Sequence, residues 1–210
     1  MALTETMDLA QETGFYAVVA CWFVFALSFW LSSRLSSRKK RSSVRVRESK
    51  RDHTAVLGIL LQAVAYFMVW WGRLRRRQFV PVRLASPAVE WGLAFLAFAI
   101  AVASIWLAVS ACRRLGKQWA VGARLVEGHT LIQDGPYAFV RNPIYLSMFG
   151  MMLATGLLIT QWFALLAASL VLVAGTYIRV HTEERLLRPA FGVEFEKYAA
   201  RVPAFLPGIW

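Results

Sequence analysis

Residues 142–178 read NPIYLSMFGMMLATGLLITQWFALLAASLVLVAGTYI, 37 positions without a charged side chain. A bilayer core needs about 20 apolar residues per helix, so this run is long enough for two. Thr160-Gln161-Trp162 near its centre is a polar and aromatic break suited to a tight turn. Toward the N-terminus lie three more charge-free runs, residues 14–31, 54–72 and 91–112. Each fits one helix. The pattern predicts five membrane helices, at about 14–31, 54–72, 91–111, 144–160 and 162–179. The fold class is therefore all-α and integral to the membrane. A soluble core seldom supplies four such stretches.

The remaining composition agrees. Of 210 residues 58% are hydrophobic and 17% charged, which excludes a disordered chain. The 24 Lys and Arg against 12 Asp and Glu give a net charge of +12. Such a balance suits nucleic acid in principle, but the charges are segregated between the apolar runs. The segment before the first run carries Glu5, Asp8 and Glu12 and no basic residue, unlike a cleavable signal. The first loop, 32–53, holds nine basic residues, the third loop, 113–141, five, and the tail from Arg179 five. With the N-terminus outside, 19 basic residues fall on the cytoplasmic side and 5 on the other. The positive-inside rule supports that orientation. The cluster Arg73, Arg75, Arg76 and Arg77 sits on the opposite side. A short helix pair that does not fully cross, or a site for anionic lipid heads, would account for it.

Trp30, Trp70, Trp71, Trp91 and Trp162 lie near helix ends, where indole rings anchor at the interface. Cys21 and Cys112 form no CxxC and no metal pattern, so neither disulfide nor metal is expected. The first loop is Ser- and Arg-rich. It has no aromatic residues for base stacking, so attraction to anionic headgroups fits it better than nucleic acid. Gly150 and Ala154, four apart, suit close helix approach.

The chemistry is expected in the last hundred residues. Asp134-Gly135-Pro136 is a turn signal. Arg141-Asn142-Pro143-Ile144-Tyr145 opens the fourth helix, with Asn142 as N-cap and Pro143 as first helical residue. The N–H groups of that helix start, with the planar fork of Arg141, suit an anion such as a carboxylate. Capping and membrane anchoring explain the same residues equally well. Beyond the fifth helix, Arg179 and Glu183 are four apart, as are Glu184 and Arg188. Each pair shares a helix face. The adjacent carboxylates suit a cationic amino group, and a salt-bridged helix end is the simpler alternative. Pro189 is expected to stop that helix. Phe195, Tyr198, Ala199 and Val202 then follow the spacing of a short amphipathic helix.

Three of these stretches occur in order: GHTLIQDGPYAFVRNPIYL (128–146), EERLL (183–187) and FGVEFEKYAARVPAFLP (191–207). Together they resemble the isoprenylcysteine carboxyl methyltransferase and phospholipid methyltransferase superfamily of integral-membrane enzymes. The resemblance covers about 112–207. It divides the chain into N-terminal transmembrane helices with basic loops, 1–111, and a catalytic half, 112–210.

The resemblance implies S-adenosylmethionine as methyl donor, held by the loop before the penultimate helix and the segment after the last. His129, Leu131, Gly135, Tyr137, Arg141, Asn142, Pro143 and Tyr145 would form the first wall, and Glu183 and Glu184 the second. Arg179, Glu183 and Glu184 are the candidate catalytic residues. The cofactor site and C-terminus would be cytoplasmic. The family most often has His before the proline. Asn142 stands there instead, and it cannot take up a proton, so a general base is not expected at this position. Methyl transfer from a sulfonium is an in-line displacement that needs alignment above all. A carboxylate acceptor needs no base, whereas an amine must lose a proton, which Glu183, Glu184 or His181 would accept. Arg179 at the membrane boundary would hold an acidic acceptor group entering sideways from the lipid. On this reading Glu184→Ala abolishes cofactor binding with little loss of expression. Membrane steroid and sterol reductases share a similar Arg-His-Pro and Tyr pattern, which makes an NADPH-dependent reductase the second enzyme class. A non-enzymatic membrane scaffold is the third.

Overall fold

A computed structural model describes residues 2–39, 46–47, 53–74, 86–116, 125–126 and 130–205. The described chain is helical: α1 Ala2–Lys39, α2 His53–Leu74, α3 Pro87–Leu115, α4 Pro143–Ile159, α5 Trp162–Phe191 and α6 Val193–Arg201. Every expected apolar run lies on one of the first five. Four of these are long and apolar enough to cross a membrane, whereas α4 has only 17 residues. At 1.5 Å per residue α4 is about 26 Å long, short of the about 30 Å hydrocarbon core. The outward faces carry large apolar side chains, among them Phe23 and Phe95 at 73% exposure. That pattern belongs to a protein solvated by lipid, and the chain is an integral membrane protein.

Short strands β1 (Val46–Arg47) and β2 (Leu125–Val126) pair antiparallel. They tie the first basic loop to the third and so put both at the same end of the bundle. The rest of the basic loop, Arg75–Arg77, Arg83 and His129 lie outside the described residues.

Helix packing follows the small residues. α3 lies along both α1 and α4, and α2 along α5. The buried stripe of α3 is Ala94, Ala97, Ala101, Ser104, Ala108 and Ala111. Without a hydrophobic drive between helices in lipid, such residues bring backbones close enough for dispersion contact. A Cβ added at Gly150 would fall 2.2 Å from the Ser104 hydroxyl, so this glycine does bring α4 onto α3. Polar side chains bond across the bundle: Trp22 Nε1 donates to Thr155 Oγ1 at 2.9 Å, and Gln62 Nε2 to Thr176 Oγ1 at 3.0 Å.

The tightest crossing is α2 on α5. A Cβ at Gly175 would stand 2.8 Å from the Gly58 carbonyl oxygen, a backbone atom that no side-chain rotation relieves. Gly175→Ala is expected to force the helices apart and cost about 1–3 kcal/mol, read as a lower Tm in detergent. Gly92 is the control, because a Cβ there meets nothing within 4 Å. Gly92→Ala should raise Tm slightly through helix propensity, worth about 0.5–1 kcal/mol.

α5 differs from expectation at its end. Its 30 residues form one helix about 45 Å long, longer than the hydrocarbon core. Pro189 does not stop it, and the helix runs on to Phe191. Proline removes one backbone donor, and near a helix end that loss is tolerated. The stop is Gly192, whose φ of 50° no β-carbon favours and whose N–H closes on the Arg188 carbonyl. The chain then enters α6, which buries Phe195 and Tyr198 as the spacing predicts.

Candidate active site

The site forms where residues 130–142 return to the bundle between the ends of α3 and α5. Arg141 is its clamp. Its Nε and Nη2 donate to Glu184 Oε1 at 3.1 and 2.8 Å. Its Nη1 donates to the carbonyls of Ala199, at 3.0 Å, and Val202. The ion pair is buried, the two side chains being 10% and 9% exposed. The Arg141 backbone N–H adds a bond to the Pro203 carbonyl at 2.8 Å. Four of the five guanidinium donors thus bind the protein itself and join α5, α6 and the tail to the start of α4.

Asn142 occupies the N-cap position, since its carbonyl accepts the first α4 bond from Leu146. Its side chain does not cap. Nδ2 instead donates to the Ala204 carbonyl at 2.8 Å. Pro143 is the first helical residue, as expected. Tyr198 Oη donates to the Tyr137 carbonyl at 2.7 Å. Burial pushes the Tyr198 phenol up to about 12, and burial raises that of Tyr137 further still. Both stay protonated around neutral pH, so Tyr198 keeps its donor.

A second network lies inside the bundle, between α4 and α5. Tyr145 Oη donates to Glu183 Oε1 at 2.5 Å. Arg179 Nε donates to Tyr145 Oη at 2.9 Å, and Arg179 Nη2 to Glu183 Oε1 at 3.0 Å. The triad links α4 to the next-to-last turns of α5. Glu184, on the other side of α5, meets Arg188 Nη2 at 3.4 Å.

Two spaces meet here. A smaller and more polar pocket of about 90 Å³ is bounded by Thr130, Leu131, Ile132, Glu184, Phe195 and Tyr198. A larger cavity of about 820 Å³ runs into the bundle, walled by Trp22, Phe29, Ile59, Tyr66, Trp70 and Met148 among others. Leu115, Tyr137, Arg141, Asn142, Glu183 and Leu187 line both. The larger volume is within the about 300–1,000 Å³ usual for ligand sites. α1 and α2 meet across it through rings, Phe15 on Trp70 and Trp22 on Tyr66. Wall residues Ala26 and Ile59 are also exposed on the outer, lipid-facing surface.

Of the residues expected at the site, Leu131, Tyr137, Arg141, Asn142, Glu183 and Glu184 gather at the polar pocket. Pro143, Tyr145 and Arg179 line the apolar cavity. Gly135 is elsewhere: it opens a 3-10 turn, Gly135–Ala138, with φ of 60°, against the Arg114 side chain. The cavity wall from α1 and α2 was not expected. Gln62 was its legible signal, because a polar residue inside an apolar span faces the bundle interior. Trp70 belongs to that wall, whereas Trp30, Trp71, Trp91 and Trp162 are exposed as anchors would be.

Residues 93–194 match the sequence model of the phospholipid methyltransferase family. A protein-S-isoprenylcysteine O-methyltransferase of Schizosaccharomyces pombe is 35% identical over 104 residues, covering 49% of this chain and 44% of that protein. The cobalt-zinc-cadmium resistance protein CzcN of Cupriavidus metallidurans is 37% identical over 100 residues, covering 44% and 43%. The matches thus span less than half the length of either relative. A solved eukaryotic intramembrane Ras methyltransferase, an isoprenylcysteine carboxyl methyltransferase, superposes with a TM-score of 0.52 at 19% identity, covering 77% of this chain and 55% of that one. At that identity the likeness is one of fold. Residues 93–194 are thus similar in sequence to the phospholipid methyltransferase family and to an isoprenylcysteine methyltransferase, and the chain shares the fold of the solved membrane methyltransferase.

Proposed function

We propose that the chain moves a methyl group from S-adenosylmethionine to a lipophilic acceptor, a prenylcysteine carboxylate or a lipid amine, that enters from the bilayer. The observation that carries this reading is the shared wall. A small pocket holding two carboxylates and a large aromatic cavity touch along Leu115, Tyr137, Arg141, Asn142, Glu183 and Leu187. A water-soluble donor and a lipid acceptor need such a meeting point.

The donor set fits the cofactor. Glu183 and Glu184 suit its ammonium, and Leu131, Ile132 and Phe195 offer an apolar shelf for its base. The polar pocket alone is too small for the whole molecule, so the rest would extend into the adjoining space. When bound, the cofactor supplies a methyl group on a positively charged sulfur, open to in-line displacement. Arg141 and Glu184 hold the walls in register. Asn142 bonds the tail and keeps α6 over the pocket. Arg179 faces the cavity with Tyr145 and Glu183, where a cation suits an acidic acceptor group. For an amine acceptor, Glu183 is the carboxylate placed to take the proton. The acceptor would enter between α1 and α2, and the pocket would face the cytoplasm, where the basic loops lie.

The purified protein incubated with lipid extract and isotopically labelled S-adenosylmethionine should yield label in a lipid, read by mass spectrometry. Parallel titrations should show binding of S-adenosylmethionine and none of NADPH. The converse pair of titrations, with no labelled lipid, would reject the methyltransferase for a reductase.

A further inference from the structure

A second groove lies behind the 130–142 segment. It measures about 550 Å³ and shares no lining residue with the pocket or the cavity. Its floor is one stripe of α3, and its outer wall is the turn after Gly135. Polarity is graded along the stripe. Trp106 stands at one end, Ser110 one turn on, and Arg113 and Arg114 in the last turn. Seven residues of helix separate Trp106 from Arg113 by about 10 Å.

The apolar end is open. Trp106 is 67% exposed and Phe139, across the groove, 78%. The basic end carries an uncommitted charge. Arg114 pairs with Asp134, whereas the exposed Arg113 has no partner among the described residues. The groove therefore offers net positive charge at the end of a membrane span and bare aromatic surface about 10 Å deeper. A phosphate with an acyl chain has that layout. Because Asp134 is already neutralised by Arg114, a headgroup of net negative charge suits the site better than a zwitterion.

We propose that this groove binds one anionic glycerophospholipid, with its phosphate on Arg113 and Ser110 and an acyl chain over Trp106 and Phe139. Such a lipid is not the methyl acceptor, because the groove does not open into the cavity's lining. It braces the turn whose other side presents Tyr137 to the active site.

The test is native mass spectrometry of the full chain released from nanodiscs of equal phosphatidylglycerol and phosphatidylcholine. The wild type should retain one phosphatidylglycerol in preference to phosphatidylcholine. Arg113→Glu should lower that preference at least about fivefold, from roughly a factor of five per basic charge near a membrane surface. Lys197→Glu reverses another exposed charge, on α6 and outside the groove, and should leave the preference intact. Added phosphatidylglycerol should raise the Tm of wild type and Lys197→Glu but not of Arg113→Glu. Equal retention of both lipids by the wild type, or an unchanged preference in Arg113→Glu, overturns the site. The readout is lipid binding alone, so it stands or falls apart from the methyl transfer.

Discussion

Glu184→Gln should weaken S-adenosylmethionine binding about 10- to 100-fold while the helices stay folded. Glutamine keeps the shape and one acceptor oxygen, so Arg141 retains a partner for the fork that now grips Oε1 at 2.8 and 3.1 Å. What disappears is the negative charge that faces the pocket. A hydrogen bond to a charged group contributes about 1.5–3 kcal/mol, which sets the factor. Glu184→Ala should behave worse than the sequence alone suggests. It leaves the Arg141 guanidinium buried with only two backbone carbonyls, and an unpaired buried charge costs about 3–5 kcal/mol. That variant should lose both cofactor binding and several degrees of Tm, not binding alone. Arg141→Lys should share the defect, since one ammonium cannot reach Glu184, Ala199 and Val202 with the geometry of a planar fork. Isothermal titration with the cofactor and thermal unfolding in detergent separate the two effects. Wild-type affinity in Glu184→Gln would remove Glu184 from the cofactor site.

The contrast between Gln and Ala marks where sequence reading ended. Spacing put Arg141 at a helix start and Glu184 past a membrane span, 43 positions apart, and each suggested a ligand contact by itself. That they would bind each other is a tertiary fact, invisible to any local period. The same holds for Asn142, whose cap position was legible and whose side-chain partner, the Ala204 carbonyl, was not. The spans were legible because lipid imposes one rule on every residue, so charge-free runs mark helices directly. The end of α5 was misplaced because Pro189 is a strong local signal, yet it falls in the last turns, and Gly192 with its positive φ is what turns the chain. The cavity wall was least legible of all. Trp22, Tyr66 and Trp70 sit in runs that are apolar almost throughout, and nothing in such a run separates the lipid face from the bundle face except the odd polar residue such as Gln62.

Ala26→Trp should lower turnover of the lipophilic acceptor about 10- to 200-fold and leave cofactor affinity within twofold of wild type. Ala26 lies on α1, at the edge of the 820 Å³ cavity and on the outer surface. An indole there intrudes into space that an acceptor chain would occupy, and its other edge meets lipid, so the fold tolerates it. A misfit of one methylene in an apolar pocket already changes specificity by about 10- to 200-fold, which sets the scale of the effect. Ile59→Trp makes the same test from α2, on the facing edge of the proposed entrance. The polar pocket is bounded by neither residue, so cofactor titration is the internal control. Loss of both turnover and cofactor binding would mean that the two spaces are one site for one ligand. Full turnover in both variants would move the acceptor out of the cavity altogether. A loss graded with acceptor chain length, steep for long chains and slight for short ones, is the result expected if the chain threads between α1 and α2 to reach Arg179 and Glu183.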